Sequence, residues 1–99
     1  MIVMVYLTSN GPGFNKYDMR IKADGNKCLD APGGHGVRVY WHWCHNGPNQ
    51  KWIYDDKYRL HNVQYPDLCL DIYAWDNNNL AKVVLWPCND QKNQQWYQP

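Results

Sequence analysis

Apolar and polar side chains alternate along two stretches of this chain. Val37, Val39 and Trp41 stand between Arg38, Tyr40 and His42, and Val83 and Leu85 alternate with Val84 and Trp86. A period of two is the mark of a strand, whose successive side chains point to opposite faces. Val39, Trp41, Val83 and Leu85 are therefore expected in a core, with Tyr40, His42, Val84 and Trp86 on the other face. The same parity turns Leu29 and Leu70 inward and Asp30 and Asp71 outward. Shorter strand-like runs cover Met19 to Lys22 and Tyr58 to Asn62. Ile2 to Leu7 reads as another strand, or as the remnant of a truncated signal or larger chain; it lacks the basic start and cleavage site of a secretory leader. The Ser9-Asn10-Gly11-Pro12-Gly13 cluster then breaks the chain with turn formers.

A repeat organises these runs. Residues 26–52 and 67–96 share Cys-Leu-Asp, a polar turn rich in Gly or Asn, a β-rich run ending in Cys, and Asn-Gln-x-Trp. Cys28 and Cys69 lie 41 residues apart, and Gln50 and Gln94 lie 44 apart, so the unit is close to forty residues long. Three segments result: a strand or linker over 1–17, a first unit over 18–57 and a second over 58–99, together one domain.

Composition sharpens this picture. All nine acidic residues are Asp, with no Glu; Asn, seven Gly and six Pro favour turns over helices. Ten Lys and Arg against nine Asp give a net charge of +1, without the basic excess a nucleic-acid binder needs. No apolar stretch approaches the roughly 20 residues of a membrane-spanning helix. Six Trp and eight Tyr exceed what one small core requires, so some aromatic rings are expected at the surface.

Cys-Leu-Asp, the strand ending in Cys, and Gln-x-Trp occurring twice (Gln50-Lys51-Trp52 and Gln94-Gln95-Trp96) resemble the ricin B-type lectin repeat. The resemblance covers residues 18–98 and implies an all-β, β-trefoil-like fold. Three units make a trefoil and two are found. The chain is then part of a longer lectin, is patched by its N-terminal strand, or assembles as a homo-oligomer. The resemblance also implies a carbohydrate-binding module for galactose, N-acetylgalactosamine and related glycans. In the second unit Asp71 would bond two adjacent hydroxyls, Trp86 would stack on the sugar, Asn93 would bond a third hydroxyl, and Gln94 would support the Asp or the sugar. In the first unit Asp30, His42, Asn49 and Gln50 take these places, with Tyr40 two residues before His42 and Trp43 beside it. A family polar position is Val84 here, which removes one hydrogen bond. His42 against a ligand would make binding pH-sensitive.

Four cysteines allow three pairings. The repeat selects Cys28–Cys44 and Cys69–Cys88, each worth roughly 3 kcal/mol in the loop-entropy account. Such bonds imply an oxidising compartment and a secreted protein. The competing reading is a zinc site from His42, Cys44 and His45 with Cys28 and His35, but the Cys spacings are unlike those of zinc sites and the second repeat, residues 67–96, has no His. No metal or cofactor is called for.

Other residues have plainer readings. Trp52 and Trp96 are expected in the core, with their Gln neighbours pinning turns. Asp71 in a purely turn-capping role stands beside its binding role. Trp75, with Asp76 and Asn77-Asn78-Asn79, and also Tyr73 are candidates for the rim of a sugar cleft. Catalysis is not expected. Glycoside hydrolysis needs two carboxylates at a set separation; Asp30 and Asp71 fall in different units, Asp55 and Asp56 would face opposite sides of a strand, and no nucleophile, phosphate-loop or metalloprotease motif occurs. A protein-binding trefoil scaffold and a targeting module of a larger glycosidase or toxin are the alternative functions.

Overall fold

The computed structural model describes residues 2–3, 7–8, 20–23, 25–73 and 83–97. The strands, in chain order, are β1 (Ile2–Val3), β2 (Leu7–Thr8), β3 (Arg20–Ala23), β4 (Lys27–Asp30), β5 (Tyr40–Trp43), β6 (Trp52–Tyr54), β7 (Leu60–Asn62), β8 (Leu68–Ile72), β9 (Val83–Pro87) and β10 (Trp96–Tyr97). They form two four-stranded antiparallel sheets, β2-β3-β4-β5 and β6-β7-β8-β9, plus a parallel β1-β10 pair. Two short 3-10 turns cover Pro48–Gln50 and Lys92–Gln94. Among the described residues no helix is long and apolar enough to cross a membrane.

The strand expected over Ile2 to Leu7 is divided between two partners. Ile2–Val3 pairs with Trp96–Tyr97, whereas Leu7 pairs with Ile21. The second sheet begins at Trp52, inside the stretch read as the first unit, so hydrogen-bonded sheet and sequence repeat are out of step. The loops holding Ser9–Gly13 and Trp75–Asn79 lie outside the described residues.

The strand registers explain the core. In β4–β5, Leu29 faces Trp41 and Asp30 faces Tyr40; in β8–β9, Leu70 faces Leu85 and Asp71 faces Val84. Leu29, Val39, Leu70, Val83 and Leu85 accordingly join Ala31, Trp52, Leu60, Ile72 and Trp96 in one buried cluster drawn from both units. Trp41 packs against it half-buried. Each Gln-x-Trp indole does more than fill space. Trp52 Nε1 donates to the Leu29 carbonyl (3.3 Å) and Trp96 Nε1 to that of Leu70 (2.9 Å), so each ties down the strand bearing the unit's Asp.

The two units also join edge to edge. Val39 N donates to Val83 O (3.0 Å), Leu85 N to Val37 O (3.2 Å) and Gly36 N to Leu85 O (2.7 Å). Arg38 is thereby set opposite Val84. Gly36 has φ +77° and passes over an indole, since a Cβ there would lie 3.7 Å from the Trp86 ring. This junction buries Val84, which strand parity had put on the outer face, while Val37 is exposed beside the crossing point.

Asp55 and Asp56 are not strand neighbours but open a turn. Asp55 Oδ1 accepts from the backbone N–H groups of Lys57 (2.9 Å) and Arg59 (3.0 Å). Within that turn Tyr58 has φ +65°, a left-handed conformation that is unfavourable for a side chain with a Cβ. The carboxylate bonds and the Trp96 N–H donated to Tyr58 O (2.8 Å) hold it there.

Candidate functional site

The Cys28–Cys44 and Cys69–Cys88 bonds are both formed. Each fastens the end of an outer strand to the strand carrying Asp, and the chain beyond turns back over that Asp as a 3-10 turn. The turn delivers Asn-Gln. Gln94, at 0% exposure, donates to Asp71 Oδ2 (2.8 Å) and to the Pro87 carbonyl (3.0 Å), and accepts from Asn89 N (2.8 Å). Gln50 repeats all three bonds, to Asp30 Oδ2 (2.9 Å), to the Trp43 carbonyl (2.9 Å) and from His45 N (2.8 Å). Beside them Asn93 and Asn49 each donate to the other carboxylate oxygen of their Asp at 2.9 Å. Asn93 spends its second N–H on the Ile72 carbonyl (3.2 Å), and its oxygen has no partner among the described residues.

Strand parity therefore places both Asp residues on the expected face, but each is only 3% exposed because the turn folds over it. Burial disfavours the charged form, and for Asp71 this outweighs the bonds from Gln94 and Asn93, raising its pKa above the usual aspartate value. The fully buried Gln50 and Gln94 act on the carboxylates and the backbone, in the pinning role expected of them.

Around Asp71 the aromatic surface is assembled from both units. Trp86 is 36% exposed and sits diagonally across the β8–β9 ladder from Asp71. His35, contributed by the first unit, meets it edge to face with centroids 4.6 Å apart. The exposed Tyr73 ring lies 5.8 Å from it on a tilted plane. Around Asp30 the rings are smaller. Exposed Tyr40 and His42 have centroids 5.6 Å apart, and His42 is 6.4 Å from His45. His45 Nδ1 accepts the Gly47 N–H (2.8 Å), which leaves Nε2 as the protonated nitrogen of the neutral ring, 3.5 Å from Asp30 Oδ2. Glycine is required for this, because a Cβ at residue 47 would lie 2.5 Å from the His45 ring. Trp43, 61% exposed, pairs in register with Lys27 on the opposite face from Asp30, and Lys27 Nζ lies 5.3 Å from its ring centroid. It does not line the first carboxylate's surroundings.

With Cys28 and Cys44 bonded to each other, the thiolates that the zinc reading required are consumed. The same holds where Cys69 and Cys88 gather with His61. His61 belongs instead to a polar cluster behind the second unit. Its Nε2 is 2.6 Å from Asp55 Oδ2 and its Nδ1 2.8 Å from the Pro66 carbonyl. Arg59 Nε donates to the same Asp55 oxygen (2.8 Å) and Arg59 Nη1 to the Asn89 carbonyl (3.0 Å). Burial alone would raise the Asp55 pKa; the bonds from Arg59, His61 and Lys57 lower it below the usual value. Asn89 also donates to Gln94, so this cluster braces the second 3-10 turn. It was missed from sequence, where only the four-residue spacing of Asp55 and Arg59 signals it.

Two disulfide-tied β units, each with an Asp held by Asn and Gln, define a repeat-built β domain. The profile of the ricin-type β-trefoil lectin domain matches residues 14–98, and the chain belongs to that family. Its all-β architecture is that of a β-trefoil. Among solved structures, it is similar to the β-trefoil lectin of the Vibrio vulnificus hemolysin/cytolysin with N-acetyl-D-lactosamine bound, at 26% identity and a TM-score of 0.65 over 75% of this chain and 55% of that one. It is also similar in fold to ThreeFoil, a designed three-fold symmetric protein, at 23% identity and a TM-score of 0.69 over 89% of this chain and 65% of that one. The chain thus spans just over half and just under two thirds of these two structures. No curated protein sequence matches it.

Proposed function

We propose that this chain is a non-catalytic carbohydrate-binding module for galactose- and N-acetylgalactosamine-type glycans, with its principal site at Asp71 and Trp86. The observation that supports this is the Asp71 carboxylate fixed by Asn93 and Gln94 on the same sheet face as the half-exposed Trp86. Diagonal partners in an antiparallel ladder stand about 7–8 Å apart, a gap suited to one pyranose with its apolar face on the indole. Each Asp71 oxygen has accepted one bond and has acceptor capacity left, which suits two adjacent hydroxyls. The Asn93 oxygen takes a third. Asp30, with Asn49, His42 and Tyr40, forms a second site with a weaker stacking surface. The similarity to a lectin with bound N-acetyl-D-lactosamine favours the same class of ligand, and the two disulfides favour a secreted setting. Paired sites, in one chain, in a homo-oligomer or within a longer parent, raise avidity.

A protein-binding scaffold is the second reading, favoured by Val84 in place of a polar residue and by the large exposed Trp43 surface. A glycan array with the wild type, Asp71→Asn and Asp30→Asn separates the two. Binding to galactosides that is lost in Asp71→Asn, with an unchanged circular dichroism spectrum, supports the lectin reading. Binding retained in Asp71→Asn and lost in Asp30→Asn moves the site to the first unit. No glycan bound at high protein concentration refutes the lectin reading in favour of the scaffold.

A further inference from the structure

Val84, where the resemblance expects a polar side chain, has a charged neighbour on its far side. The bonds Val39 N to Val83 O and Leu85 N to Val37 O flank the Arg38–Val84 pair without including it. This is the non-hydrogen-bonded type of antiparallel pair, with Cα atoms about 4.5 Å apart and side chains on the same face. Val84 is in turn the register partner of Asp71. Asp71, Val84 and Arg38 therefore form one row across three strands, with Asp71 and Arg38 about 10 Å apart at their Cα atoms. Trp86 stands on the same face one step along the strand, with His35 against it.

Arg38 is exposed and has no hydrogen bond or ion pair with any described residue. A guanidinium offers five donors in a planar fork that matches carboxylate and sulfate oxygens. A sugar held at its hydroxyls by Asp71 and stacked on Trp86 would point its opposite rim across Val84 toward that fork. The roughly 10 Å of the row keeps an anion at that rim clear of the Asp71 charge, while Val84 gives the ring between them an apolar floor.

We infer that the second site selects glycans bearing an oxyanion, a sulfate ester or a carboxylate, through Arg38 contributed by the first unit. This rests on the sugar-binding reading of Asp71 and Trp86 and adds a substituent class to it. Neither unit holds the complete recognition surface; the edge-to-edge junction assembles it.

Calorimetry with methyl β-galactoside, its 3-O- and 6-O-sulfates and methyl galacturonoside, at low and high salt, tests the inference. The wild type is expected to bind at least one charged sugar about tenfold tighter than the neutral one, with the advantage shrinking as salt rises. In Arg38→Gln that ratio is expected to fall to about one, while Lys27→Gln, an equal change in net charge on another face, keeps it. Preference for the sulfates alone or the galacturonoside alone supports the inference and identifies the source of the oxyanion. A wild type that binds the neutral sugar as well as the charged ones overturns the inference and leaves the lectin reading standing, as does a preference that survives Arg38→Gln. If the wild type binds none of the four sugars, both fall.

Discussion

Replacing Gln94 by Ala probes the link between the buried turn and the carboxylate it presents. Gln94 makes three hydrogen bonds without contact with solvent: one to the Asp71 carboxylate, one to the Pro87 carbonyl and one from the Asn89 N–H. A bond to a charged group contributes roughly 1.5–3 kcal/mol and each neutral one about 1 kcal/mol, and truncation also leaves buried partners unsatisfied. The expected loss is therefore roughly 3–5 kcal/mol, a large part of the ~5–15 kcal/mol that holds a domain of this kind together. For about 100 residues, this corresponds to a fall in Tm of at least about 12 °C. Asn93→Ala is the internal comparison: its side chain is half-buried, water can replace it, and the expected cost is about 1 kcal/mol. Urea denaturation and thermal melting followed by circular dichroism measure both. A Gln94→Ala penalty below about 1 kcal/mol, or one equal to that of Asn93→Ala, would refute the idea that the buried amide is the main brace.

Two further outcomes concern the carboxylates. The raised Asp71 pKa means that acidification protonates this acceptor before ordinary aspartates titrate. In an Asp30→Asn background, galactoside binding should fall with a midpoint above the usual value of about 3.9, and a midpoint at or below that value in a pH-resolved titration refutes it. Asp55 has the opposite sign: its lowered pKa contributes stability above the usual aspartate range, and this is lost as pH falls through the folded value. Asp55→Asn should therefore cost more at pH 7 than in acid, the penalty shrinking as Asp55 protonates; an equal shift in urea midpoint at both pH values would show that its role is not electrostatic.

Local signals in the chain foretold much of this molecule. The alternation around Val39 and Leu85 assigned the core, the two Gln-x-Trp motifs placed buried indoles, and the cysteine pairing came from the repeat. What was hidden depends on contacts that period-two patterns do not encode. Parity put Asp30 and Asp71 outward, yet nothing in the pattern showed that a 3-10 turn would cover them to 3% exposure. Val84 looked outward within its own strand, but Arg38, far earlier in the sequence, pairs with it. His35 drew attention only as a metal ligand because its partner, Trp86, lies in the other unit. His61, Arg59 and Asp55 converge through a hairpin whose turn conformation, with Tyr58 at φ +65°, is not one its side chain would choose.

The indole bonds from Trp52 to Leu29 and from Trp96 to Leu70 overlap the repeats like roof tiles. Each carboxylate-bearing strand is seated by a ring that opens the next tile. Excising or duplicating a segment cut just after Asn-Gln would therefore separate a strand from its anchor. A transplantable segment must extend through the next indole, and loosening one tile propagates to the one before it.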